Sequence, residues 1–229
     1  MKYLDILKKD LLKAGKLMYD RGYVVSNEGN ISVRANKNSI LITASGVCKG
    51  CMKSQDIVML DLKGNVLKGN KKPSSELNMH LQIYKARPDV HCICHAHPPY
   101  ATAFAVAGLP LDEMILPEVI IYLNNIPLVD YATPGTKKVF HSISKYIKSY
   151  DAMILANHGV ITLGKDILNA YYKMEIVEHA AKIQFIAYQL GNIRRLSSRQ
   201  VKELLDFGKK FETSEYYGNI KGKRNIKKK

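Results

Sequence analysis

The sequence of 229 residues has no tryptophan, only four cysteines and no apolar run long enough to cross a membrane. Because a membrane-spanning helix needs about 20 consecutive apolar residues, we expect no association with a membrane. The first ten residues carry charges at short intervals, unlike the apolar stretch of a secretory signal peptide. Four cysteines in a chain of this length do not indicate a disulfide framework. These absences together favour a cytoplasmic protein.

Acidic residues are the minority among the charged ones, with 20 aspartates and glutamates against 35 lysines and arginines, a net charge of +15. Six of the positive charges fall in residues 221–229, which contain no acid. We therefore predict one domain over residues 1–212 and a basic, disordered tail over residues 213–229. No helix-turn-helix or aromatic-rich RNA-binding pattern accompanies the charge, so a nucleic-acid partner is not expected. The charge on the domain itself suits a small anionic substrate.

The spacing of apolar residues predicts helices and strands in mixed order. Residues 3–20 repeat apolar side chains at helical steps of three and four. The segment after them resembles short strands joined by glycine, asparagine and serine turns, not β-α-β units. Strands are predicted at 31–34, 39–43, 57–62, 66–67, 89–97, 118–123, 152–156 and 160–163, and further helices at 73–87, 101–107, 137–148, 167–190 and 198–210.

The central motif is a pair of histidines, His95 and His97, at the end of a short apolar strand. Side chains alternate along a strand, so both imidazoles point to one face, while Cys92 and Cys94 point to the other. His158 follows a second apolar strand in the same way. Three histidines at strand ends with an open fourth position are the usual ligand set of a catalytic zinc ion. An isolated histidine is more often a satisfied core or surface residue, so the prediction depends on all three meeting.

A C-x-x-C pair, Cys48 and Cys51, is the one rival metal motif. A single pair without a second pair is a weak signal for a metal. We interpret this segment as a loop with two free thiols.

A metal-dependent enzyme also needs a group that moves protons, and Glu76 is the best candidate. It lies at the predicted start of the helix before the histidine strand, where the helix dipole stabilises a carboxylate. The alternative is that Glu76 only caps this helix. Turns and helix starts also bind phosphate through backbone N–H groups, but only their convergence in space makes a pocket. The candidates are Gly29, Asn30, Ser45, Gly46, Ser74 and Ser75.

Six segments, taken in their order and spacing, resemble the class II aldolase/adducin family, most closely its L-fuculose-1-phosphate aldolase branch. They are residues 29–34, 43–46, 73–76, 95–97, 131–136 and 157–159. The resemblance implies an α/β fold, a three-layer α/β/α sandwich around a mixed, mostly antiparallel central sheet. It also implies a homotetramer with active sites at the subunit interfaces.

The resemblance further implies a role for each candidate residue. His95, His97 and His158 would bind one Zn²⁺ per subunit, and Glu76 would be the acid/base and a fourth ligand in the resting state. The turns named above would hold the phosphate of a small phosphorylated sugar. The implied reaction is reversible cleavage of a ketose 1-phosphate, similar to L-fuculose 1-phosphate or 5-deoxyribulose 1-phosphate, into dihydroxyacetone phosphate and a small aldehyde.

The sequence departs from the family pattern where the aldehyde end of the site is expected. Residues 114–118 contain no tyrosine, and Pro134 replaces an aromatic residue. Tyr216 and Tyr217 are both candidates for a C-terminal tyrosine. These departures bear on the choice of aldehyde and leave the metal and phosphate residues intact.

Other branches of the family remain alternatives. Pentulose-phosphate 4-epimerases, methylthioribulose-1-phosphate dehydratases and sugar-acid phosphate decarboxylases resemble the same pattern. The epimerases usually carry aspartate at the position of Glu76, whereas Glu118, beyond the histidine pair, keeps the dehydratase open. The non-enzyme alternatives are an adducin-like scaffold, which lacks the metal site, and a basic nucleic-acid binder.

Overall fold

The computed structural model describes residues 2–212, so the predicted basic tail, with Tyr216 and Tyr217, lies outside the described residues. The strands of the described chain are β1 (Asn30–Asn36), β2 (Ser39–Thr43), β3 (Ile57–Asp61), β4 (Val66–Lys68), β5 (Cys92–Ala96), β6 (Leu128–Val129), β7 (Ala152–Leu155) and β8 (Gly159–Gly164). They form one sheet in the order β4-β3-β2-β1-β5-β8-β7-β6. Within the described chain β6 and β7 are the one parallel pair, and the other neighbours are antiparallel.

Helices cover both faces of this sheet. They are α1 (Lys2–Asp20), α2 (Leu77–Ala86), α3 (Pro99–Ala107), α4 (Pro117–Leu123), α5 (Lys137–Ser144), α6 (Ile167–Gln189) and α7 (Ser198–Glu212). Helices α1, α3 and α6 pack on one face, and α2 packs with α5 on the other. The three-layer α/β/α sandwich with a mostly antiparallel sheet is therefore confirmed. Within residues 2–212 the search for a helix able to cross a membrane finds none.

Strand β5 shows how the alternation of side chains divides the core. Cys92 and Cys94 lie in the apolar cluster under α1, α3 and α6, whereas Ile93 lies in the cluster under α2 and α5. His95 follows the same alternation and points to the α2 face. On the neighbouring strand, Ser32 is opposite Ile93 and Asn30 is opposite His95. The register of β1 and β5 therefore brings two polar side chains of β1 onto the face that carries His95.

Residues 118–123, predicted as a strand, are helical in the structure, so that prediction is wrong. Pro117 occupies the first helical turn, where its missing N–H is tolerated. Val119, Ile120 and Leu123 are buried together on one side of α4. A short apolar run fits both a buried strand and a buried helical face, so periodicity alone does not separate them.

Helix α2 begins later than predicted, at Leu77 instead of near Pro73. Glu76 is its N-cap residue by position, but the cap has no side-chain hydrogen bond. Oγ of Ser74, two residues before Glu76, accepts the backbone N–H of Glu76 at 3.2 Å in a turn outside the helix. The isolated bridge between Ala44 and Pro73 extends the preceding segment toward the sheet. The idea that Glu76 merely caps its helix therefore has no hydrogen bond to support it.

The segment with the C-x-x-C pair forms a short 3₁₀ turn over Lys49–Cys51. Cys48 and Cys51 are free thiols, as predicted.

Glu178 of α6 holds the start of α3, the helix that follows the histidine strand. Its two carboxylate oxygens accept the backbone N–H groups of Tyr100 and Ala101 at 3.0 and 2.9 Å. The first N–H groups of a helix have no partner within the helix, so a carboxylate there satisfies them and complements the helix dipole. Glu178 thereby ties α6 to the chain segment next to His97.

We expect Glu178→Ala to lower the free energy of unfolding by about 2 kcal/mol, since one buried and one partly buried N–H group lose a charged acceptor. Urea unfolding followed by circular dichroism, at one fixed protein concentration, measures the change. Glu203→Ala is the matched control, because Glu203 is exposed and pairs only with the neighbouring Arg199 among the described contacts. Equal midpoints for the two variants would contradict the capping role.

Candidate metal centre and active site

Three histidine side chains meet at the end of β5 and the turn between β7 and β8. Nε2 of His95 lies 3.2 Å from Nε2 of His158 and 3.3 Å from Nε2 of His97. One ligand nitrogen from each ring lies within 4.8 Å of the other two. Zinc–nitrogen bonds are about 2.0–2.1 Å long, so nitrogens at these separations can share one cation. The structure thus brings together the three histidines that the sequence singled out.

The turn that carries His158 packs closely against the end of the histidine strand. Asn157 adopts a left-handed backbone conformation (φ 55°), and the N–H of His158 donates to the carbonyl of Leu155 at 3.0 Å. A Cβ atom on Gly159 would lie 2.5 Å from the carbonyl oxygen of Ala96 and 2.5 Å from the ring of His97. Glycine at position 159 therefore allows the turn after β7 to approach the histidine strand.

Hydrogen bonds to the outer ring nitrogens orient two of the imidazoles. Nδ1 of His95 lies 2.9 Å from the carbonyl oxygen of Val160, and Nδ1 of His97 lies 3.2 Å from a carboxylate oxygen of Glu28. Acceptors at Nδ1 place the ring proton there and leave Nε2 with a lone pair. Such outer partners fix the tautomer and the orientation of metal-binding histidines.

Glu76 completes the group from the other side. Its Oε2 lies 3.1 Å from Nε2 of His95 and accepts a hydrogen bond from Nδ2 of Asn30 at 2.8 Å. Its Oε1 lies 3.6 Å from Nε2 of His158, is buried, and has no hydrogen-bond partner among the described residues. A buried carboxylate oxygen without a partner, beside a cluster of three imidazoles, fits a bound divalent cation. The donor set of three nitrogens and one oxygen also suits zinc.

The charges in the site favour cation binding. Burial opposes the ionisation of Glu76, yet His95, His158 and the Asn30 hydrogen bond together lower its pKa well below the usual range. Burial lowers the pKa of His158 to about 4, and burial together with His95 lowers the pKa of His97. Burial also opposes a charge on His95, but the neighbouring Glu76 raises its pKa. At neutral pH the site therefore holds a carboxylate beside at least two neutral imidazoles.

Two of the three candidate phosphate turns lie side by side. The bridge between Ala44 and Pro73 places residues 45–46 next to residues 74–75. The N–H of Ser45 donates to the carbonyl of Lys72 at 2.9 Å, and the N–H of Ser74 donates to the carbonyl of Thr43 at 3.2 Å. These contacts position the two turns and leave the side chain of Ser75, with residues 45–46, exposed.

The third turn, at Gly29, is tied to the same region by a buried lysine. Nζ of Lys49 donates to the carbonyl of Val47 at 2.6 Å and to the carbonyl of Asn27 at 3.3 Å. Burial lowers the pKa of Lys49 to about 8, so it still carries a positive charge at neutral pH. Gly29 has φ +67°, and a Cβ atom there would lie 2.8 Å from the carbonyl oxygen of His95. The turn around Gly29 therefore joins the histidine strand to the other turns.

The sequence predicts that Asn30 binds phosphate, but in the structure its side chain makes two other hydrogen bonds. Its Nδ2 donates to Glu76, and its Oδ1 lies 2.5 Å from Nε2 of His80. Of its two Nδ2 hydrogens, the second is the one that could be donated to a bound anion. Asn30 therefore serves first as the link between Glu76 and the buried His80.

Sequence reasoning missed three residues that shape this site. Glu28 was visible only as part of a polar turn, and Lys49 only as part of the C-x-x-C loop. In the predicted helix at 73–87, His80 falls near the face that carries Leu77 and Tyr84. Its position four residues after Glu76 also puts these two side chains on the same side of the chain. Glu118, kept as an alternative acid, is exposed in the first turn of α4, and Pro134 lies in an exposed loop.

Comparison with known proteins gives consistent similarities. The family described as Class II Aldolase and Adducin N-terminal domain matches residues 9–185. An L-fuculose phosphate aldolase from Methanococcus maripaludis is 42% identical over 182 residues, which are 80% of this chain and 97% of that protein. A 3-oxo-tetronate 4-phosphate decarboxylase from Haemophilus influenzae is 35% identical over 211 residues, 90% of this chain and 99% of that protein. The solved structure of an L-fuculose 1-phosphate aldolase has a TM-score of 0.82 and 34% identity, and the match covers 89% of this chain and 96% of the other.

We expect Glu28→Ala to weaken binding of a divalent cation by about 10- to 100-fold, because His97 loses the partner that orients its ring. Isothermal titration of the metal-free protein with zinc, in the presence of a competing chelator, measures the affinity. Asp20→Ala is the control, since Asp20 is an exposed carboxylate that pairs with Lys16 on α1. Unchanged affinity in Glu28→Ala would show that His97 is oriented by other contacts or does not bind the metal.

Proposed function

Since the chain belongs to the class II aldolase and adducin family, as its motifs predicted, we propose that it is a zinc-dependent aldolase. It reversibly cleaves a ketose 1-phosphate, similar to L-fuculose 1-phosphate or 5-deoxyribulose 1-phosphate, into dihydroxyacetone phosphate and a small aldehyde. The convergence of His95, His97 and His158 beside Glu76, whose Oε1 is buried without a partner among the described residues, carries this proposal. All four residues lie within the part of the chain that matches the family.

His95, His97 and His158 would hold the zinc ion, and Glu76 would serve as a fourth ligand in the resting state. The bound ion supplies a Lewis acid that polarises the substrate carbonyl. Catalytic zinc sites keep a position open for substrate, and a set of three histidine ligands would leave such a position. The hydrogen bonds of Val160 and Glu28 keep the lone pairs of His95 and His97 directed at the centre.

Glu76 moves the proton at the carbon that changes its bonding. In the cleavage direction the C3–C4 bond breaks, its electron pair stays with C3, and C4 becomes the aldehyde carbon as its hydroxyl proton passes to the Glu76 carboxylate. Glu76 then delivers a proton to C3, which becomes the hydroxymethyl carbon of dihydroxyacetone phosphate. In the condensation direction the carboxylate removes the same proton. Its lowered pKa keeps it ionised and ready to accept that proton at neutral pH.

The phosphate of the substrate binds at the three connected turns. The hydroxyls of these turns and the N–H groups that the turns do not use internally, with the positive charge of Lys49 beside residues 27 and 47, form an environment suited to an anion. The residues proposed for this contact are Gly29, Asn30, Ser45, Gly46, Ser74 and Ser75. The excess of basic residues over the whole chain favours the approach of an anionic sugar.

A decarboxylase is the second candidate function. The Haemophilus influenzae relative named as a decarboxylase aligns with a larger share of this chain than the aldolase from Methanococcus maripaludis does. Loss of carbon dioxide from a 3-oxo acid also leaves a carbon next to a carbonyl that must take up a proton, so Glu76 and the metal site serve both reactions. An adducin-like scaffold is less consistent with the chain, because the three histidines and Glu76 are all present and in contact.

The proposed enzyme is a homotetramer with active sites at subunit interfaces. Large apolar side chains are exposed where α3 and α6 end, which favours a covered surface in this part of the molecule. They are Val106, Leu109, Phe185, Ile186, Tyr188 and Leu190. A cytoplasmic location stays a prediction from the sequence.

The zinc-loaded protein, incubated with dihydroxyacetone phosphate and a panel of small aldehydes, should form a ketose 1-phosphate detectable by mass spectrometry. We expect Glu76→Gln to lower the rate by about 10² to 10⁴-fold, because the amide cannot take up the proton. Removal of the metal with a chelator should abolish turnover, and added zinc should restore it.

Glu118→Gln is the matched control, and it should retain the rate of the natural chain. A dead Glu118→Gln protein beside a fully active Glu76→Gln protein would overturn the assignment. Release of carbon dioxide from a 3-oxo-4-phospho acid, without any aldol product, would identify the decarboxylase instead.

Ending the chain at residue 220 removes the six basic residues of 221–229 and tests the nucleic-acid alternative. We expect turnover within about twofold of the full chain, because activity resides in the domain that matches the family. Any weak binding to DNA, measured by fluorescence anisotropy at two salt concentrations, should fall with the lost charges. Loss of turnover with the tail would place a catalytic contribution there.

A further inference from the structure

A buried chain of polar groups leads from Glu76 into the core beneath α2. Asn30, Ser32, His80 and Tyr84 are all buried, with at most 3% of any of them exposed. Nε2 of His80 lies 2.5 Å from Oδ1 of Asn30, and Nδ1 of His80 lies 2.6 Å from Oγ of Ser32. Oγ of Ser32 lies 2.8 Å from the hydroxyl of Tyr84. Together with the bond from Asn30 to Glu76, these contacts form one continuous path.

The hydrogen atoms of this path can be assigned from its two ends. A carboxylate only accepts hydrogen bonds, so the group of Asn30 beside Glu76 must be the NH₂, which leaves Oδ1 as the acceptor toward His80. Nε2 of His80 must therefore carry a proton. Burial lowers the pKa of His80 to about 3, so the ring is neutral and Nδ1 is an acceptor.

The remaining donors follow in order. Because Nδ1 of His80 accepts, the hydroxyl of Ser32 donates to it, and the hydroxyl of Tyr84 donates to Ser32. Every donor in the path thus points toward Glu76. The reverse assignment would place two acceptors face to face at 2.5 Å, between His80 and Asn30.

The far end of the path is anchored in the fold. The guanidinium of Arg34 lies 4.6 Å from the ring centre of Tyr84 and donates to the backbone carbonyl of Tyr84 at 2.5 Å. It also donates to the carbonyl of Val90 at 2.8 Å. Apolar side chains of the cluster under α2 surround Tyr84. A broken link in such surroundings leaves a buried polar group without a partner, which makes the path act as a unit.

From this geometry we propose that His80 is a positioning residue for proton transfer by Glu76, an inference that rests on the proposed function. Through Asn30 it fixes Oε2 of the carboxylate, and it thereby leaves Oε1 as the oxygen that takes up and returns the proton. His80 itself touches neither the histidine triad nor the substrate. Its role is to keep one carboxylate oxygen occupied and the other directed into the site.

Proton exchange without aldehyde isolates this step. The enzyme should exchange one hydroxymethyl proton of dihydroxyacetone phosphate for deuterium in D₂O, which proton NMR follows directly. We expect His80→Leu to slow this exchange at saturating substrate by about 10- to 100-fold. The half-saturating concentration should change by less than about threefold: His80 contacts Asn30, but the turns at residues 45–46 and 74–75 keep their own hydrogen bonds. His80→Gln, whose amide can still donate to Asn30, should recover most of the rate.

Two further measurements separate positioning from a purely structural role. Thr162→Val is the matched control, because Thr162 is also fully buried and loses a hydrogen bond, at 2.8 Å to the carbonyl of Ala170, on the α6 side. It should lower the unfolding midpoint yet exchange protons at the natural rate. The zinc content of every variant, measured by mass spectrometry, should equal that of the natural chain.

Ser32→Ala is a smaller change that tests the path if His80→Leu fails to fold, and it should slow exchange by about tenfold. A zinc-loaded His80→Leu or Ser32→Ala protein that exchanges as fast as Thr162→Val would overturn the inference. Loss of zinc in His80→Leu would also overturn it, because the effect would then act through the metal. Absence of exchange in the natural chain would instead overturn the proposed function, and this inference with it.

Discussion

The buried carboxylate of Glu76 is the constraint on which the rest of the site depends. An ionised carboxylate inside a protein is strongly unfavourable unless hydrogen bonds and opposite charge compensate it. Asn30 and His95 lie beside one oxygen, and the other oxygen lies 3.6 Å from Nε2 of His158. The group can therefore be stable only if β1, the start of α2, the end of β5 and the turn after β7 are all held together. A bound divalent cation is the partner that this arrangement suits.

The antiparallel sheet supplies that alignment. The register of β1 and β5 places Asn30 opposite His95, and the register of β5 and β8 places His95 opposite Ile161, just past the turn that carries His158. A shift of one residue in either pairing would turn these side chains to the opposite face. The positions of the histidine triad and of Asn30 beside Glu76 thus depend on these two strand registers, and Gly29 and Gly159 permit the close approach of the turns.

Much of the fold and of the candidate site could be predicted from the sequence, because short local patterns of residues indicate them. Alternation along β5 put His95 and His97 on one face and the cysteines on the other, and the structure shows the same division. The motifs identified the family and with it the three-layer fold. Local signals failed where two conformations share one pattern: the apolar run at 118–123 is a helix, and the helix expected from Pro73 begins at Leu77.

The sequence by itself determined the types of chemical group available, the elements that carry them and the family. Only the tertiary structure decided which groups meet: that Glu28 orients His97, that Lys49 joins two turns, and that Asn30 links Glu76 to His80. These contacts join residues from about 20 to 70 positions apart, and their existence depends on packing distances of a few tenths of an ångström. No local pattern encodes such distances, because they arise only when the strands and helices have packed.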